Sequence, residues 1–134
     1  MTRPPPAADA PLVVTIDDDK VLTRLIAMAL GRKGYRVVEI NDPTQVLERL
    51  RELRPALVVL DLVMPTRDGL QVLKELRGDP QLSGLPVIVA TAREAEFGAK
   101  AEALGATYLR KPFEVKTLLD LVPQVTGTAP GSGA

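Results

Sequence analysis

The stretch LVVTIDDD, residues 12–19, is a short β-branched apolar run that ends on three carboxylates. ALVVLD, residues 56–61, repeats the pattern and ends on Asp61. Neither run alternates apolar with polar residues, so each reads as a strand covered on both faces, as in a parallel sheet. PVIVAT, residues 86–91, ends on Thr91, and TYLRK, residues 107–111, ends on Lys111 directly before Pro112. Strands of one parallel sheet deliver their last residues to one edge, and open α/β sheets bind ligands there. Asp17, Asp18, Asp61, Thr91 and Lys111 are therefore expected to meet.

The segments between these runs have helical periodicity. Leu22, Leu25, Ile26, Ala29 and Leu30 recur at three- and four-residue spacing, and Gly34 fits the stop. Arg36–Ile40 reads as another strand. Asn41-Asp42-Pro43 is expected to cap a helix carrying Val46, Leu47, Leu50 and Leu53, ended by Pro55. Asp68-Gly69 opens a helix with Leu70, Leu73 and Leu76. Residues 94–104 form an Ala-rich helix with a weak apolar face. Val115, Leu118, Leu119 and Val122 mark a last helix, closed by Pro123. Five βα units imply an α/β fold, a five-stranded parallel sheet doubly wound in the flavodoxin-like manner.

A chain of 134 residues with 46% apolar content suits one domain with a sizeable core. Residues 1–10 read as a Pro-rich tail, 11–125 as the folded domain and 126–134 as a tail or linker start. A net charge of zero gives no polyanion-binding surface, so direct contact with nucleic acid or an acidic membrane is not expected. No segment has the length of a membrane span or the pattern of a signal peptide, which makes a cytoplasmic location the default expectation. The absence of Cys and His excludes disulfides, thiolate or imidazole metal sites and histidine catalysis. A metal here must be held by oxygen, which favours Mg²⁺, Mn²⁺ or Ca²⁺.

Two carboxylates about 4 Å apart repel by roughly 4 kcal/mol at an effective dielectric near 20. Asp17, Asp18 and Asp61 together call for a cation, and Mg²⁺ would leave coordination positions open for a phosphoryl oxygen. Asp19 sits where a helix cap belongs and is read as one. Asp61 is a candidate nucleophile toward phosphorus. Thr91 and Lys111, taken singly, would be ordinary strand-end residues; beside the carboxylates they supply a hydroxyl and a point charge for a phosphoryl group.

The motifs VVTIDDDK, LVVLDLVMPTRDG, VIVATA and YLRKPF, in this order, resemble the receiver domain of two-component response regulators, from about Leu12 to Gln124. The resemblance implies Asp17 and Asp18 as metal ligands, with the Val63 main-chain carbonyl as a further ligand. It implies Asp61 as phospho-acceptor, Thr91 as the hydroxyl that moves onto the phosphoryl group, and Lys111 as the lysine that contacts it. The bond to Pro112 would be cis. Tyr108 matches the aromatic switch residue, or is a partly buried strand tyrosine. Asp68 would cap the third helix.

The implied function is a Mg²⁺- or Mn²⁺-dependent signalling switch, not classed as an enzyme. A histidine kinase or phosphotransfer protein would phosphorylate it, and a downstream protein would read it on the face of the fourth helix, fifth strand and fifth helix. It would act as a monomer or as a homodimer formed on phosphorylation. Val63 and Arg93 occupy positions that tune phosphoryl lifetime in the family, and neither favours an aligned attacking water, so slow self-dephosphorylation is expected. The segment from Thr91 to Lys111 is shorter than the family norm. Two rival functions are a phosphorylation-independent binding module of the same fold and a phosphatase or phosphotransferase with an Asp nucleophile. The latter usually carries a second Asp two residues on, where this chain has Val63.

Overall fold

A computed structural model of the chain describes residues 10–42, 44–62, 68–92 and 95–127. The elements alternate as the periodicity predicts: β1 (Leu12–Ile16), α1 (Lys20–Arg32), β2 (Arg36–Ile40), α2 (Val46–Leu53), β3 (Leu57–Leu60), α3 (Gly69–Gly78), β4 (Val87–Thr91), α4 (Ala95–Ala103), β5 (Thr107–Arg110) and α5 (Val115–Thr126). The strands form one sheet in the order β2-β1-β3-β4-β5, every pair parallel. This is the doubly wound α/β architecture expected from the sequence.

Burial explains why the apolar runs are continuous. Every residue of β1, β3 and β4 is buried, whereas β2 and β5, at the sheet edges, are partly exposed. Successive side chains still point to opposite faces. Val13, Leu57, Val59 and Ile88 pack with Ile26 and Leu30 of α1 and Leu118 and Val122 of α5. Val14, Val58, Leu60 and Val89 pack on the other face with Leu50 of α2 and Leu73 and Leu76 of α3. Each core leucine or isoleucine is worth about 2 kcal/mol of burial, so the sheet is a stiff platform for the residues at its edge.

Register sets that edge. Ile16 is level with both Ile40 and Leu60, so Asp17 and Asp61 are each the first residue past a paired position. Thr91 is level with Arg110, which puts Lys111 one residue further on.

Two boundaries differ from expectation. α2 begins at Val46, beyond Asn41 and Asp42; Pro43 lies outside the described residues. The Asp42 carboxylate accepts from the Thr44 N–H at 3.0 Å and hydroxyl at 2.8 Å, making a local turn. Gln45 then enters the helix with φ 62°, in the left-handed region. α5 continues through Pro123 to Thr126. Pro123 has no N–H for the preceding turn, but buried Leu118 and Val122 hold the helix to the sheet. The stop comes at Gly127, whose φ of 69° suits a glycine and whose N–H donates to the Pro123 carbonyl at 2.8 Å.

The weak face expected of α4 is real. Among the described residues, Ala101 is its fully buried core side chain, with Phe97 and Leu104 partly buried, one helical stripe of three residues. Gly98 lies against the Tyr108 ring: a Cβ on it would stand 2.6 Å from two ring carbons. The absent side chain lets strand and helix approach.

Candidate functional site

Asp17 is tied down on every side. Its N–H donates to the Ile40 carbonyl at 3.1 Å, and its own carbonyl accepts from the Asn41 amide at 2.8 Å. Oδ1 accepts from the Asp19 N–H at 3.0 Å, and Oδ2 accepts from Lys111 Nζ at 2.6 Å. Asp19 itself caps α1, accepting from the Val21 and Leu22 N–H groups at 3.0 Å each, as its position predicts. Asp18 is exposed.

Asp61 follows β3 and is 7% exposed, as is Asp17. Its N–H donates to the Ile16 carbonyl at 3.0 Å, which locks the two acid-bearing turns together. Asp17, Asp18 and Asp61 each offer a carboxylate oxygen within 4.8 Å of the others. Lys111 Nζ reaches Asp61 Oδ2 at 3.3 Å as well as Asp17. Burial works against the Lys111 charge, but the Asp17 hydrogen bond and the nearby Asp61 and Asp17 charges outweigh it and hold its pKa above the ordinary lysine value.

Three clustered carboxylates, two of them bonded to Lys111, make a partly dehydrated notch rich in negative charge. Hard oxygens at this spacing fit Mg²⁺ or Mn²⁺. The donor set suits such an ion, and the same surplus of negative charge would repel an incoming phosphoryl group without one.

Thr91 is fully buried at the end of β4, and its carbonyl accepts from the Lys111 N–H at 2.9 Å. The Lys111–Pro112 peptide is cis. Tyr108 is half-buried on β5, level with Val89 and packed on Gly98. The Asp68 carboxylate caps α3, accepting from the Leu70 N–H at 2.9 Å. Val63, Met64-Pro65 and Arg93 lie outside the described residues.

Sequence reading missed two contributors. Asn41 looked like a helix cap, yet its amide faces the acidic turn, donating to the Asp17 carbonyl and, at 3.0 Å, to the Thr23 hydroxyl. Gly69 looked like part of a turn signal. It is wedged against the Asp61 backbone: a Cβ would stand 2.4 Å from the Asp61 carbonyl oxygen and 2.5 Å from Leu62 Cα. No short-range pattern announces either contact.

Comparison with known proteins agrees with this geometry. The family model described as response regulator receiver domain matches residues 13–123. The chain is 36% identical over 109 residues to the DNA-binding response regulator MtrA of Mycolicibacterium paratuberculosis, covering 80% of this chain and 47% of that protein. It is 38% identical over 111 residues to the response regulator MprA of Mycobacterium leprae, covering 80% and 47%. The chain thus spans about half the length of these relatives. The name of the first runs against the expectation of no contact with nucleic acid, because a charge balance over these 134 residues speaks only for this stretch.

Among solved structures, the Francisella response regulator 1452 receiver domain superposes with a TM-score of 0.79 at 28% identity, covering 87% of this chain and 97% of that one. The Vibrio cholerae chemotaxis protein CheY4 gives 0.78 at 27%, covering 86% and 98%. Among the described residues no helix is long and apolar enough to cross a membrane. Fold, edge chemistry and relatives converge, and the chain belongs to the family of response regulator receiver domains.

Proposed function

We propose that this domain is a phosphorylation-activated switch that takes a phosphoryl group onto Asp61 from the phosphohistidine of a histidine kinase or phosphotransfer protein. The observation that carries the reading is the clustering of Asp17, Asp18 and Asp61 at the sheet edge, with Lys111 bonded to Asp17 and Asp61. A carboxylate oxygen of Asp61 attacks phosphorus, the P–N bond breaks, and its electron pair returns to the imidazole of the donor. The product is an acyl phosphate. A divalent cation held by Asp17, Asp18 and Asp61, with the Val63 carbonyl as the remaining protein ligand, would supply positive charge against the phosphoryl oxygens.

Lys111 offers a second positive charge and is already within reach of the acceptor. Buried Thr91 offers its hydroxyl. Drawing both toward the new group shifts the population of the β4–α4 and β5 segments, and Tyr108 follows, altering the face formed by α4, β5 and α5 for a partner. A phosphoryl group adds up to about two negative charges, enough to bias such a two-state element.

The test is to incubate the chain with acetyl phosphate and Mg²⁺ and weigh it intact beside Asp61→Asn. Gain of one phosphoryl group by the wild type alone is expected. No gain, even from a panel of phosphorylated kinases, would leave the phosphorylation-independent module. Steady release of phosphate from a generic phosphate ester would point to the phosphatase.

A further inference from the structure

We infer that Asn41 is a positioning residue for the cation site, bracing the β1–α1 turn so that Asp17 and Asp18 are held where the ion binds. The inference rests on the cation-dependent reading above.

The two polar main-chain groups of Asp17 are both satisfied from β2: the N–H by the Ile40 carbonyl and the carbonyl by the Asn41 side chain. The second is chemically unusual for a sheet edge. β2 has ended at Ile40, so no main-chain donor of the next residue closes the ladder, and a side-chain amide does so. One N–H of Asn41 Nδ2 serves the Asp17 carbonyl; the other serves Thr23 Oγ1, a fully buried hydroxyl one turn into α1. Thr23 in turn donates to the Lys20 carbonyl at 3.2 Å. The brace therefore spans the turn from its first residue to the first turn of the helix, with Asp18 and Asp19 inside it.

The turn has reason to need bracing. It carries three successive carboxylates, and Asp17 and Asp18 lie near Asp61. Their mutual repulsion pushes it away from the sheet. Lys111 neutralises part of this from one side, while Asn41 holds the backbone from the other without adding charge. A neutral donor is the suitable device, because a second cation there would compete with the ion. Groups that orient ligands from behind typically affect metal affinity by 10–100-fold.

Asn41→Ala, Thr23→Val and Thr23→Ser would be compared with the wild type in three measurements on the full chain: Mg²⁺ titration by calorimetry, thermal midpoint in EDTA, and amide exchange at Asp19 and Val21. Asn41→Ala is expected to weaken Mg²⁺ binding about tenfold, with the phosphorylation rate at saturating Mg²⁺ falling less than the affinity. Thr23→Val weakens it less, and Thr23→Ser, which keeps the hydroxyl, restores it. If Asn41→Ala does not fold, the Thr23 pair carries the same comparison. Wild-type Mg²⁺ affinity in Asn41→Ala, or equal affinities in the Thr23 pair, overturns the inference, even if the thermal midpoint falls. A wild type that binds no Mg²⁺ would instead sink the cation reading; faster exchange at Asp19 and Val21 in Asn41→Ala would then still support the brace, and unchanged exchange would overturn it.

Discussion

The two edges of the sheet handle buried charge in opposite ways. At the carboxyl-terminal edge, Asp17, Asp18 and Asp61 cluster, and Asp17 and Asp61 share the Lys111 ammonium. At the amino-terminal edge, one guanidinium is shared by four carbonyls: Arg77 donates to Leu104 at 2.6 Å, Leu85 at 2.7 Å, Ser83 at 3.0 Å and Gly105 at 3.4 Å. Burial pulls the Arg77 pKa below the ordinary arginine value. Carbonyl dipoles are fixed and uncharged, so the arginine clamp is complete as it stands. The acidic edge holds three like charges close together, an arrangement that a divalent cation would relieve. One edge is permanent structure; the other is conditional.

Breaking each edge should reveal that distinction. The largest effect is expected from Lys111→Met. It removes a cationic partner from two carboxylates that are less than a tenth exposed, and without metal it should cost about 3 kcal/mol. Thermal unfolding in EDTA and in Mg²⁺ checks this, with Mg²⁺ expected to recover much of the loss. A loss that ignores Mg²⁺ would mean that the lysine and the ion do not serve the same charges.

Arg77→Met should cost about 2 kcal/mol, because charge-assisted bonds to the ends of α4, β4 and the intervening turns disappear. Here the same loss is expected in EDTA and in Mg²⁺. The smallest effect has the opposite sign. Asp18→Asn removes one exposed charge from the acidic edge, so in EDTA it should raise stability by about 1 kcal/mol. The stabilisation by Mg²⁺ should shrink at the same time. A destabilised Asp18→Asn would show that repulsion does not govern this edge.

Much of this was legible in the sequence, for definite reasons. β1, β3 and β4 are covered on both faces, so their burial had to appear as unbroken apolar runs. Asp17, Asp61 and Lys111 were legible because a parallel sheet turns strand ends into neighbours. What escaped reading depends on contacts between distant residues. Asn41 has the composition of a helix cap, and its real partner is 24 positions earlier in the chain. Gly98 carries no signal of its own within the Ala-rich α4 segment, and its fit is to the Tyr108 ring, ten positions further on. Pro123 looked like a terminator, but tertiary burial of Leu118 and Val122 outweighs one missing N–H.

The wedge at Gly69 has a mechanical meaning. Its N–H donates to the Leu62 carbonyl at 3.0 Å, and there is no room even for a methyl group between α3 and the backbone of Asp61 and Leu62. On this side Asp61 stands against an anvil. Under the proposed function, a push that begins at Asp61 would find no give toward α3 and would be passed across the sheet, toward Thr91 and Lys111 and the thinly anchored α4 beyond them. The direction of a signal through this domain would then be set by where it cannot yield.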